Sequence, residues 1–255
     1  MASGGHHTIL GAVAVQDSLY FSRIQHDMID AEQLTGRADD HVQEVAELHS
    51  TVHRTAASAL LAMREAARKD GIELEIVSSY RSFTRQTGIW NAKFSGQRRL
   101  LDRQNAVVDH SLLDEQTLID VILIWSALPG ASRHHWGTDV DVIDRAAVPA
   151  GYIPQLVQSE FQSGAVFGLL ETWLAANLQR FDFFRPYQTD RGGVLPEPWH
   201  ISYAPISVPA LRGLSLDVLT DAIASGEMLG REAVLTRLPE LYERYVRQVD
   251  EPAWL

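Results

Sequence analysis

The chain has 255 residues, 33 acidic against 22 basic, for a formal net charge of −11 at pH 7; it has no Cys, and Lys only at Lys69 and Lys93. Without Cys there is no disulfide framework, no thiolate-bound zinc and no thiol nucleophile. Neither Lys has the neighbours of a phosphate loop or of an S-x-x-K serine nucleophile. The acidic balance and scattered Arg argue against a nucleic-acid surface, which needs a concentrated basic stripe.

In chain order, a short apolar run at residues 8–15 follows His6 and His7 rather than a Lys/Arg region. It reads as a strand or a packed N-terminal arm, not a secretory signal. From Val42, apolar residues at Val45, Leu48, Val52, Ala56, Leu60 and Met63 recur at three- and four-residue steps, predicting one long helix capped by Asp39 or Asp40 and ended by Gly71. A strand is expected at 73–77, a helix at 82–94 and a largely buried helix at 114–128. The apolar stretch 121–129 is too short to span a bilayer, so no membrane insertion is expected. A strand at 138–143, a helix at 166–178 and short strands at 181–184 and 199–203 follow. Beyond Pro209 the chain reads as helical, with Ser215 as a cap and an amphipathic run at 239–249. Helices and strands without strict alternation give an α+β class. The expected division is an arm over 1–40, a core over 41–205 and a helical extension of the same domain over 206–255.

With thiol, Lys and serine motifs absent, hydrolytic chemistry would come from a metal or from carboxylates. Of ten His, the N-terminal ones (His26, His41, His49, His53) read as solvated or capping, and His110 lies in a loop. Three segments remain. Ser132 to Asp141 packs His134, His135, Asp139 and Asp141 around Gly137, which lets the backbone fold back so that a His and an Asp reach one ion; the alternative is a polar turn with a buried, hydrogen-bonded His. Glu197 precedes His200 by three residues, with Pro198 between them. An extended chain puts the two on opposite faces unless the prolines bend Glu197 inward, where it would serve as a general base. The segment from Ser78 to Gln86 sets Arg81 at a strand-to-helix turn, suited to a carboxylate or, as the alternative, to a surface ion pair.

In this order the segments resemble the zinc D-alanyl-D-alanine carboxypeptidases of the peptidase M15 family, the group of the vancomycin-resistance VanY-type carboxypeptidases. The pattern is S-x-Y-R-S (Ser78 to Ser82), S-x-H-x-x-G-x-x-x-D (Ser132 to Asp141) and E-x-x-H (Glu197 to His200). The resemblance implies a small central antiparallel sheet flanked by helices, like that of hedgehog domains and D,D-peptidases, here with extra C-terminal helices. It implies one Zn2+ held by His134, Asp141 and His200, Glu197 as base, Arg81 at the substrate and oxyanion, and Gln86 and Ser132 lining the substrate pocket. Asp139 departs from the small residue usual at its place; it either orients a ligand or competes with Asp141. The implied substrate is the terminal D-Ala-D-Ala bond of a peptidoglycan stem peptide. D,D-dipeptidase, L,D-carboxypeptidase or endopeptidase activity, or a non-catalytic zinc-binding recognition module, are the rivals. The family places the protein in the cell envelope or periplasm; a start at Met1 without a signal would place it in the cytoplasm.

Overall fold

The computed structural model describes residues 29–254, so the run at 8–15, and with it His6, His7 and His26, lies outside the described residues. A single-turn helix α1 (Ala31–Leu34) opens them, closed by a capping box between Asp30 and Gln33. The next segment departs from the helix expected there. Residues 42–53 form a hairpin of β1 (Val42–Val45) and β2 (Ser50–His53), paired from Val42 with His53 to Val45 with Ser50. The turn between them holds His49 at φ 49°, a left-handed conformation that no helix tolerates. The apolar spacing that mimicked a helix is that of a hairpin whose buried ends, Val42, Val45 and Val52, face inward, and β-branched residues favour the strand. The helix begins only at α2 (Arg54–Lys69), where the His53 ring accepts the Thr55 N–H, so the capping role expected of the N-terminal His holds at His53.

The sheet that carries the site has four antiparallel strands in the order β3 (Leu74–Ser78), β6 (Asp139–Asp144), β8 (His200–Tyr203), β7 (Phe183–Phe184). A separate two-residue hairpin, β4 (Leu100–Leu101) with β5 (Val107–Val108), lies between the helices α3 (Phe83–Phe94) and α4 (Glu115–Leu123). Strand side chains alternate between faces. On β6, Val140 and Val142 join the apolar cluster that α2 and α5 (Gly168–Asn177) complete, while Asp139 and Asp141 take the other face. All six β6 residues are buried, so the carboxylates sit inside the molecule. The fold is therefore α+β with small antiparallel sheets, as expected.

The helix expected at 114–128 stops at Leu123. Its continuation would occupy carbonyls used elsewhere: that of Ile124 accepts the Leu195 N–H and that of Ala127 accepts Gln86 Nε2. At the C-terminal end, α6 (Ala204–Gly213) starts before Pro209 and contains it. Ser215 caps α7 (Leu216–Ala224), as its type and place predicted. Pro239, expected to open a helix, lies inside α8 (Arg231–Leu241), which runs on into a wider π turn at Tyr242–Arg247. These helices share a second apolar cluster with α3, α4 and Trp136, in which Leu219, Ile223, Val234 and Leu241 are buried beside Trp90 and Ile119.

Gly137 couples the hairpin to the sheet. It has φ 66°, its carbonyl accepts the His53 N–H at 2.8 Å, and a Cβ there would stand 2.5 Å from Val42 Cγ1 and 2.7 Å from the His53 nitrogen. Gly137→Ala is expected to lower stability by at least about 2 kcal/mol, the sum of left-handed strain and a contact with backbone that has no room to give. Urea denaturation would measure it, and an unchanged midpoint would mean that the hairpin moves freely from β6.

Candidate metal centre and cleft

Three elements bring the donors together. Asp141 on β6 is the direct cross-strand partner of His200, the first residue of β8. His134 comes from a 3-10 turn (Arg133–Trp136) that Gly137 closes in the left-handed conformation, folding the chain back as its position in the sequence implied. One donor atom from each of His134, Asp141 and His200 lies within 4.8 Å of the others, and all three residues are buried.

Hydrogen bonds on the far side of each ring set which nitrogen faces the cluster. His134 Nδ1 meets the Ser79 carbonyl at 3.0 Å, an acceptor only, so this nitrogen carries the proton and Nε2 presents a lone pair. His200 Nε2 meets Asp139 Oδ1 at 3.0 Å, which by the same reasoning turns the Nδ1 lone pair inward. His134 Nε2 then stands 3.4 Å from Asp141 Oδ2, and His200 Nδ1 stands 3.2 Å from Asp141 Oδ1. Asp141 Oδ1 is buried without a hydrogen bond. Lone pairs aimed at a carboxylate repel it unless positive charge lies among them, either a proton on His200 Nδ1 or a metal ion in that proton's place. Ligand atoms ~2.1 Å from a tetrahedral ion are ~3.4 Å apart, so the observed spacing fits such an ion. Three ligands leave the fourth position open, the arrangement of catalytic sites.

Asp139 is engaged elsewhere. Its Oδ1 accepts from Arg133 Nε at 2.7 Å and from His200; its Oδ2 accepts from Thr138 Oγ1 at 2.7 Å and Ser202 Oγ at 3.0 Å. Burial raises its pKa, but the Arg133 guanidinium and these donors more than offset that and hold it at about 2. The geometry is that of a group orienting His200, not of a competing ligand. Burial also depresses the His134 pKa, helped by Arg81 nearby. For His200 burial is overcome by its acceptors Asp139, Asp141 and Glu197, and its pKa rises.

The prolines do bend the chain: the His200 N–H donates to the Glu197 carbonyl, and Glu197 Oε2 comes within 3.3 Å of His200 Nδ1. Burial raises the Glu197 pKa, with Asp141 adding to it against His200 and Arg81. The Arg81 N–H donates to the His134 carbonyl, and its Nη2 is 3.7 Å from Asp141 Oδ2. The Arg81 Nε is buried without a partner, which leaves one donor directed at no protein group. His135, which the resemblance does not place among the ligands, accepts the Gly130 N–H at Nε2 and donates Nδ1–H to the Arg81 carbonyl, so it holds the Arg81 backbone.

Gln86 sits behind the cleft rather than on its wall. Its Oε1 accepts from Arg81 Nη1 at 3.1 Å and its Nε2 donates to the Ala127 carbonyl at 2.9 Å, so it steadies Arg81, and its full burial away from the cleft lining keeps it from touching a substrate. Ser132 does face the cleft, with no hydrogen bond from its hydroxyl to a described residue. The cleft has a volume of about 640 Å³ and its floor holds His134, Asp141, Glu197 and His200. Residues outside the three motifs complete it. The Tyr187 ring packs edge-on to His200 at 5.1 Å, and burial pushes its hydroxyl up to about 12. Trp125, likewise outside the motifs, stacks at 6.5 Å on Trp199 of the third one along one side. Tyr187 carries no spacing signal; the pairing of its carbonyl with the Glu197 N–H and its packing against the C-terminal apolar cluster bring it in.

Residues 49–206 match the model of the VanY family, D-alanyl-D-alanine carboxypeptidase. A Haemophilus influenzae protein, named only as uncharacterized, is 36% identical over 121 residues, covering 47% of this chain and 92% of that one. The D-alanyl-D-alanine carboxypeptidase of Enterococcus faecalis is 27% identical over 145 residues, 56% of this chain and 44% of its own length. The structure of VanYB in complex with D-alanine-D-alanine superposes with a TM-score of 0.46 at 22% identity, covering 71% of this chain and 87% of that one.

The Arg133–Asp139 pair is wholly buried, at 4% and 0% side-chain exposure. Arg133→Met is expected to cost about 3–5 kcal/mol, because it strands a buried carboxylate. The pH dependence has a definite sign. A carboxyl held at about 2 against 3.8 when unfolded stabilises the fold above 3.8 and loses that contribution as pH falls through about 2; the contribution is about 2 kcal/mol. In Arg133→Met the acid-unfolding midpoint therefore moves to higher pH, as circular dichroism during acid titration would record.

Proposed function

Because this chain belongs to the VanY family of D-alanyl-D-alanine carboxypeptidases, we propose that its cleft hydrolyses the terminal D-Ala-D-Ala bond of peptidoglycan stem peptides, with one zinc ion held by His134, Asp141 and His200. The observation that carries this reading is the convergence of these three donors beside Glu197 on the cleft floor. Residues 41–205 are the peptidase core and 206–255 its helical extension, a division supported by the family match ending at 206. The substrate places the protein's work at the cell envelope; no described helix is long and apolar enough to cross a membrane.

Zinc bound there supplies Lewis acidity, polarising the scissile carbonyl and lowering the pKa of the attacking water to about 7. The chain's own groups do the rest. Glu197 takes the proton of the water at a carboxylate oxygen and returns it to the departing D-alanine nitrogen; a pKa raised toward neutrality suits a group that must do both. The Arg81 guanidinium, held by Gln86, faces the oxygen on which negative charge develops, and its unpartnered Nε is available to it. Asp139 keeps the His200 ring from rotating, and the Ser79 carbonyl does the same for His134. Ser132 offers its hydroxyl to the bound peptide.

D-Alanine release from an acyl peptide ending in D-Ala-D-Ala, with zinc and with a chelator, tests the activity; release that persists in chelator overturns it. Glu197→Gln is expected to retain zinc and lose about 10²–10⁴-fold in kcat. His134→Ala is expected to lose the metal itself, measured by mass spectrometry of the purified protein. A Glu197→Gln enzyme with undiminished turnover would remove Glu197 from the proton-transfer role.

A further inference from the structure

The cleft carries charge that hydrolysis at its floor does not use. Five cationic side chains line it, Arg81, Arg85, Lys93, Arg98 and Arg133, against two carboxylates, Asp141 and Glu197, in a chain whose net charge is −11. Arg133 is paired with Asp139, and Arg81 is held by Gln86 and Asp141. The side chains of Arg85, Lys93 and Arg98 have no hydrogen bond or ion pair with any described residue. Lys93 is unlike a surface lysine. It is half-buried in the cleft wall, and burial brings its ammonium down to about 8 although Glu197 opposes the shift. Holding a cation in such a place with no carboxylate in ion-pair contact is unfavourable, and an arriving anion relieves it.

The wall is one face of α3. Arg85, Gly88, Ile89 and Lys93 follow at helical spacing and all line the cleft. Glycine inside a helix is unfavourable relative to alanine. At Gly88 a Cβ would meet nothing within 4 Å, so no packing contact in the protein calls for its absence. What glycine leaves there is room in the cleft, between two cations. Arg85 and Lys93 stand eight residues apart, about 12 Å along the helix. That is the span of three to four extended peptide residues, longer than a single C-terminal carboxylate bridges.

We propose that this wall is a subsite for a second substrate carboxylate: the preferred peptide bears a side-chain carboxylate besides its C-terminal one, and Lys93 receives it, with Arg98 and Arg85 flanking and Gly88 providing space. The inference rests on the peptidase reading of the cleft and adds the substrate class. Two acyl peptides ending in D-Ala-D-Ala test it, differing only in whether the preceding residue is lysine or 2,6-diaminopimelate, which adds one side-chain carboxylate. The zinc-loaded wild type is expected to show a KM at least 10-fold lower for the diaminopimelate peptide. In Lys93→Met that ratio falls to near one, and Lys93→Arg, which keeps the charge, retains most of it. Gly88→Leu reduces the ratio by filling the wall. Equal KM values in the wild type, or a ratio that survives Lys93→Met, overturn the proposal. So does a Lys93→Met enzyme impaired equally on both peptides, since Lys93 would then serve the C-terminal carboxylate they share. Cleavage of neither peptide by the wild type is a different failure, of the peptidase reading itself.

Discussion

The register between β6 and β8 places Asp141 opposite His200 and Asp139 opposite Ser202, and the rest of the site is arranged around that pairing. Because strand side chains alternate, a slip of one residue would send both carboxylates into the apolar cluster and bring Val140 and Val142 into the cleft. The apolar face enforces the register: Val140, Val142 and Ile201 are fully buried against α2 and α5. Packing on one side of the sheet thus determines which chemistry appears on the other.

The polar face is organised in layers of hydrogen bonds rather than by the donors alone. Ser79 orients His134, Asp139 orients His200, and His135 with Gln86 positions Arg81. Arg133 in turn holds Asp139 and Ser202. A buried ion pair such as Arg133–Asp139 contributes little net stability compared with an apolar pair of the same shape. Its value here is directional, because it keeps the Asp139 carboxylate ionised and aimed at one ring nitrogen.

Legibility of the site in the sequence followed how locally each feature is encoded. The Ser132 to Asp141 segment carries its own turn at Gly137, so the return of the chain toward the sheet follows from residue type. The inward bend of Glu197 was left open by the prolines and settled by the backbone bond from His200. The place of Gln86 behind Arg81 was not legible, since its partner, the Ala127 carbonyl, belongs to a segment that leaves helix α4 early. Tyr187 had no spacing to reveal it and reaches the cleft from a distant part of the chain, whereas Lys93 lies on the helix that follows Arg81, at helical spacing from Arg85. Periodicity does not distinguish the hairpin at 42–53 from a helix, because three- and four-residue steps also arise when two short strands bury their ends around a left-handed turn.

The sequence by itself determined the chemistry available: with no Cys and no serine motif, a His and carboxylate site with a Glu beside it, in an α+β chain with a capped helix after Arg81. Residue type suffices for the exclusions and short-range spacing for the caps and turns, which act over a few residues, while the joining of three separate segments into one His and carboxylate site is what the resemblance to the peptidase M15 family implies. Only the tertiary structure decided which ring nitrogens face the carboxylate, that Asp139 holds a ring instead of competing with Asp141, and that unpaired cations line the cleft of an acidic protein. Those outcomes depend on which partners reach each group across 50 residues or more, and hydrogen bonding and burial, which are properties of the packed chain, select among them.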